Sequence, residues 1–145
     1  MPKITPFLIF GGQCNHAMEL YEKAFGAKVT IKTLYSQANP KDFQCNDEAE
    51  KDFVFHAEMT IDRQRIMLCD DSEGSLGDGM VARSTELGIC VTFDSADEVK
   101  AAYEIMSEGA TIYAPMCSTT YSSCYVNLMD KFGIRWALMT EQTKR

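Results

Sequence analysis

His56 and Glu58 stand two residues apart in the segment Phe53-Val-Phe-His-Ala-Glu-Met-Thr-Ile61. The segment alternates as a strand does, so both side chains leave the same face. An imidazole beside a carboxylate can position or abstract a proton. The same pattern also suits a polar pair on the less buried face of a sheet. Cys69 would be a nucleophile if a neighbouring base lowered its pKa, and the sequence shows no such partner; a buried, inert thiol satisfies the same pattern. Arg135 presents a planar fork suited to an anionic group, or a surface charge. Phe7, Tyr121 and Tyr125 are aromatics on expected strands, able to line an apolar pocket or simply to fill a core. His16, near a helix start, reads as solvated surface.

These residues belong to a chain of 145 residues with 46% hydrophobic content, enough for one ordinary domain or two small halves sharing a core. The formal net charge of −7 argues against a nucleic-acid partner. No apolar run approaches the roughly 20 residues of a membrane span, and no secretory signal opens the chain. We therefore expect a cytoplasmic protein with neither a nucleic-acid nor a membrane partner. The six cysteines form no C-x-x-C pair and match no zinc-ribbon spacing.

The positioning elements follow in order. Ile4 to Phe10, stopped by Gly11-Gly12, reads as a strand. Asn15 to Phe25 carries Ala17, Met18, Tyr21, Ala24 and Phe25 on one helical face, with Asn15 as N-cap and Gly26 as the stop. Lys28–Leu34 alternates as a strand. Residues 37–51 are polar and aperiodic and read as a mobile loop. Phe53–Ile61 and Ile66–Cys69 are strands joined by the turn Asp62-Arg-Gln-Arg65. The glycine-rich acidic stretch after Asp70 reads as a linker. Leu87–Phe93 opens a second series. Ser95-Ala-Asp-Glu98 forms a capping box before a helix striped with Val99, Ala102, Tyr103 and Met106. Strands follow near Thr111–Met116, Tyr121–Met129 and Ile134–Thr140, the last two joined by the turn Asp130-Lys-Phe-Gly133.

The second series repeats the first. Phe10 maps onto Phe93 and Gly26 onto Gly109 at one common spacing. Asp62 maps onto Asp130 at a spacing shorter by the length of segment 37–51. The chain thus divides into a first βαβββ module (1–72, with the insertion 37–51), a linker (73–85) and a second βαβββ module (86–145).

The segments Ile4-Thr-Pro-Phe-Leu-Ile-Phe-Gly-Gly-Gln-Cys14, Tyr21-Glu-Lys-Ala-Phe-Gly26, His56-Ala-Glu58 and Asp130-Lys-Phe-Gly-Ile-Arg-Trp136 resemble the vicinal oxygen chelate superfamily, which includes glyoxalase I, extradiol dioxygenases and bleomycin-resistance proteins. The resemblance is closest to its PhnB-like, 3-demethylubiquinone methyltransferase-like branch. That branch usually has Thr-Phe-Trp-Gly where this chain has Thr119-Thr-Tyr-Ser122. The resemblance implies an α+β, glyoxalase-like fold: two βαβββ modules whose mixed sheets curl into a cup, helices outside and ligand inside, in a homodimer. It also implies a metal site with one ligand on each of four strands, which falls here on Thr5, Cys69, Gly88 and Ala137. Glycine and alanine offer no side-chain donor and threonine a poor one, so no metal and no cofactor is expected. No glycine-rich strand-to-helix turn suited to an adenosyl cofactor is evident.

Three functions remain open: a small-molecule binding protein with Thr5, Phe7, His56, Glu58, Cys69, Tyr121, Tyr125 and Arg135 around its ligand; an enzyme of the same superfamily acting through His56, Glu58 or Cys69; and a resistance protein that sequesters a cationic drug.

Overall fold

The computed structural model describes residues 1–71 and 86–141; the expected linker 73–85 lies outside the described residues. The chain divides into two compact units, Met1–Val81 and Ala82–Arg145. The first contains β1 (Phe7–Phe10), α1 (Cys14–Phe25), β2 (Lys28–Leu34), β3 (Val54–Ile61) and β4 (Gln64–Asp70). The second contains β5 (Gly88–Phe93), α2 (Ala96–Met106), β6 (Thr111–Cys117), β7 (Tyr125–Met129) and β8 (Arg135–Thr140). Each unit forms one four-stranded sheet, ordered β1-β4-β3-β2 and β5-β8-β7-β6. The β1–β4 and β5–β8 pairs are parallel and the others antiparallel. The βαβββ unit is therefore present twice, in an α+β, glyoxalase-like fold.

Alternation along the strands sorts each sheet into a covered and an open face. In the first module Leu8, Phe10, Ala57, Met59, Ile66 and Leu68 are buried together with Ala17, Met18 and Tyr21 of α1, and α1 packs on β3 and β4. The intervening residues Phe7 and Ile9 are about half exposed, at 49% and 52%. In the second module Val126, Leu128, Trp136 and Leu138 are buried with Val99, Ala102 and Met106 of α2. Val54 and Val126 are completely buried.

The two helices start differently. Asn15 is not the N-cap of α1: the helix begins one residue earlier, at Cys14. Its leading amides are held from afar, since the buried Asp70 carboxylate accepts from Gly12 N at 2.7 Å and Cys14 N at 3.0 Å. The other oxygen of Asp70 accepts from Val54 N at 2.8 Å, at the head of β3. In α2 the expected Ser95 cap is present, its hydroxyl accepting from Glu98 N at 3.2 Å. The Glu98 carboxylate bonds that same hydroxyl rather than the backbone. Gly26 closes α1 in the left-handed region, at φ 64°.

Four further expectations change. The first strand begins at Phe7, leaving Thr5 ahead of it. β7 begins at Tyr125, so Tyr121 lies outside it; residues 119–124 form a turn in which Thr119 N donates to Ser122 O at 2.8 Å and the Ser122 hydroxyl to Cys124 O at 2.8 Å. The insertion 37–51 is built rather than aperiodic. It contains a short helical turn at Glu48–Glu50 started by Asp47, and the Phe43 ring packs on Tyr35 at 4.7 Å and on Phe55 at 5.8 Å. The register of the repeat also shifts. Phe10 pairs with Asp70, and Phe93 pairs with Thr140, so the counterpart of Asp70 is Thr140 and that of Cys69 is Met139, not Ala137. The cause is the hairpins: Ile61 pairs with Gln64 across a two-residue turn, whereas Met129 pairs with Arg135 across the longer turn that contains Asp130.

Candidate functional site

The open face of the first module carries one row of residues across all four strands. Phe7 pairs with Met67, Met67 with Glu58, and Glu58 with Ile31. Glu58, only 8% exposed, is thus a carboxylate set among apolar side chains. Burying a charge is costly unless it is paired, and Glu58 is paired twice. Its Oε1 accepts from Arg65 Nε, and its Oε2 lies 2.9 Å from His56 Nε2. The Arg65 hydrogen bond first, and then that of His56, hold the Glu58 carboxyl down to about 2. It is a carboxylate at any neutral pH and can only accept hydrogen bonds.

The sequence reading brought His56 and Glu58 together, and the structure does the same. It missed Arg65, which was placed in a turn; β4 begins at Gln64, and Arg65 stands two positions from Met67, on the same face as Glu58. Cys69 shares that face and pairs with Ile9. Burial, then the charges of Asp70 and Asp71, push its thiol up to about 11. Cys69 is therefore a protonated thiol at neutral pH.

The second module holds a counterpart trio. Asn127 Nδ2 donates to the Tyr125 hydroxyl at 2.9 Å, and Arg135 Nε donates to Asn127 Oδ1 at 2.5 Å. By strand register Tyr125, Asn127 and Arg135 are the counterparts of His56, Glu58 and Arg65. The Arg135 guanidinium also lies 3.9 Å from the centre of the Tyr113 ring, a cation–π contact. Asn127 and Tyr113 were not singled out in the sequence. The signal for Asn127 was available: it follows Tyr125 by two residues, as Glu58 follows His56. Tyr121 reaches this face only through its ring, which meets Tyr125 edge-on at 5.9 Å.

With the register shifted, Ala137 is the counterpart of Met67, so the four positions expected for a metal no longer correspond between the modules. Gly88 and Ala137 have no side-chain donor, and Thr5 precedes its strand. Among the described residues no group of three or more His, Cys, Asp and Glu side chains could hold an ion. The N-terminus of α1, reached from β1 through Gly11-Gly12, is the sort of place where a phosphate can bind. Here Asp70 Oδ1 already takes the Gly12 and Cys14 amides.

A family model described as 3-demethylubiquinone-9 3-methyltransferase matches residues 2–139. The chain belongs to that family. Solved structures with the same architecture include protein PA1353 from Pseudomonas aeruginosa, 21% identical, with a TM-score of 0.82 over 98% of this chain and 99% of the other. Another, a putative 3-demethylubiquinone-9 3-methyltransferase (PhnB protein) from Bacillus cereus, is 24% identical, with a TM-score of 0.74 over 96% and 99%. A glyoxylase/bleomycin resistance protein/dioxygenase domain from Frankia sp. EAN1pec has a TM-score of 0.66 over 98% of both chains at 12% identity. This member of the 3-demethylubiquinone-9 3-methyltransferase family therefore carries the fold of the vicinal oxygen chelate superfamily. Its mixed sheets differ from the doubly wound parallel sheet that binds dinucleotides. No helix among the described residues is long and apolar enough to cross a membrane.

Proposed function

We propose that this protein binds a small molecule on the open face of its first module, without a metal. The observation that carries this reading is the row Phe7–Met67–Glu58–Ile31, with His56 and Arg65 beside it. Apolar side chains left open around a few fixed polar groups are the usual make-up of a ligand site. Ile31 is 45% exposed and Phe7 49%, so a ligand would remove apolar surface from water. A cationic drug is the weaker choice of ligand, because the Glu58 charge is already met by Arg65.

The working unit in this reading is a cytoplasmic homodimer, since the exposed Phe7, Ile9 and Ile31 also call for cover. Native mass spectrometry of the purified protein tests the binding reading. We expect a co-purified small molecule that is lost when Ile31→Trp fills the face. Retention of the same molecule by both Ile31→Trp and Phe7→Trp would overturn the reading. Sedimentation as a monomer at micromolar concentration would remove the dimer from it.

A further inference from the structure

Glu58 does more than balance a charge. A carboxylate that can only accept requires the facing nitrogen, His56 Nε2 at 2.9 Å, to carry the hydrogen. In the neutral ring the lone pair then belongs to Nδ1, and no hydrogen bond from the described residues holds that atom. Arg65 holds the far oxygen of Glu58 and so fixes the carboxylate that fixes the ring. The His56 side chain keeps 30% of its surface, while that of Glu58 keeps 11%. The base is thus half-buried, the carboxylate beside it is nearly covered, and the more exposed Arg65 side chain (51%) holds the carboxylate's far oxygen, the pattern in which a third group orients a base. In the second module tyrosine and asparagine occupy the corresponding places, so among the described residues the arrangement is confined to the first module.

We propose that His56 Nδ1 accepts a proton from a bound ligand that carries an acidic C–H or O–H, with Glu58 and Arg65 as its positioning residues. This rests on the binding reading above and adds a reaction to it. The C–H or O–H bond breaks, the N–H bond forms at Nδ1, and the electron pair stays on the ligand. The resulting imidazolium lies against the Glu58 carboxylate, and the proton returns to the ligand or to water. No oxidant, reductant or metal enters the balance.

Two measurements test this without the natural ligand. Heteronuclear NMR of the imidazole nitrogens in the resting protein, at a pH where the ring is neutral, reports the tautomer. We expect Nε2–H in the native chain and a mixture of tautomers in Glu58→Ala. Nitrobenzisoxazole then serves as a carbon-acid probe. Removal of its ring C–H by a base breaks the N–O bond and releases a coloured cyanonitrophenolate. A positioned base contributes about 10²-fold or more to such steps, and we expect the native chain to exceed His56→Gln by at least about tenfold, with Glu58→Ala close to His56→Gln. An Nδ1–H tautomer, or equal rates in the native chain and His56→Gln, would overturn the proposal. Failure of the binding reading shows differently: a ligand found away from this face leaves the tautomer and the probe rates as expected.

Discussion

Laid over one another by strand register, the two modules place different chemistry on the same skeleton. Across the open face the first module runs Phe7, Met67, Glu58, Ile31, and the second runs Cys90, Ala137, Asn127, Ala114. One row is bulky and charged, the other small and neutral. The end of the fourth strand shows the same exchange. Asp70 accepts three backbone amides with its carboxylate, and its counterpart Thr140 accepts Ser123 N at 3.1 Å and Cys124 N at 3.2 Å with a hydroxyl. The repeat therefore preserves where a hydrogen-bond acceptor is needed and leaves its charge to vary.

The largest expected effect breaks this comparison at its structural end. Asp70→Ala leaves three amides without their acceptor, and unfolding in urea should show a loss of about 3 to 5 kcal/mol. Thr140→Val removes a neutral acceptor from two amides and should cost about 1 to 2 kcal/mol in the same measurement. Equal losses would mean that charge contributes nothing to the difference between the modules.

A smaller effect separates the open faces by pH. The carboxyl of Glu58 falls from an ordinary 4.5 to about 2 in the folded chain. Its pairing therefore stabilises the fold fully above pH 4.5, and that contribution is lost as pH falls toward 2. Glu58→Gln should flatten the stability profile across that window, as read from melting temperatures at stepped pH, while Asn127→Gln should leave it unchanged. The smallest effect is the converse exchange. Asn127→Asp gives the second module a carboxylate beside Arg135 and should raise stability by less than about 1 kcal/mol, an increment that added salt should erase.

Much of this architecture was legible in the sequence because it rests on local patterns. Alternation in β2 and β3, the stripe of α2, Gly26 at the end of α1 and the Asp130 turn each declare themselves within a few residues. In that turn Asp130 accepts from Phe132 N at 2.9 Å and Ile134 N at 3.1 Å, and its other oxygen takes the Trp136 indole N–H at 2.9 Å. What escaped depends on distant partners. The shift of the fourth strand was hidden because Asp62 and Asp130 look alike while their turns differ in length. Arg65 was hidden with it, since its role appears only once β4 is placed beside β3. The start of α1 was misread at Asn15 because its true acceptor lies 56 positions beyond Cys14.

That last separation sets the two helix starts apart. Ser95 sits next to the helix it caps, so α2 can close its first turn as soon as residues 95–98 are available. The start of α1 cannot be completed until Asp70 arrives, and Asp70 also fastens the head of β3. Searching for a contact between distant residues costs more chain entropy than closing a short loop. The start of the N-terminal module's helix thus depends on the far end of that module, while the start of α2 depends on its own neighbours. One carboxylate on β4 ties together the start of α1 and the head of β3.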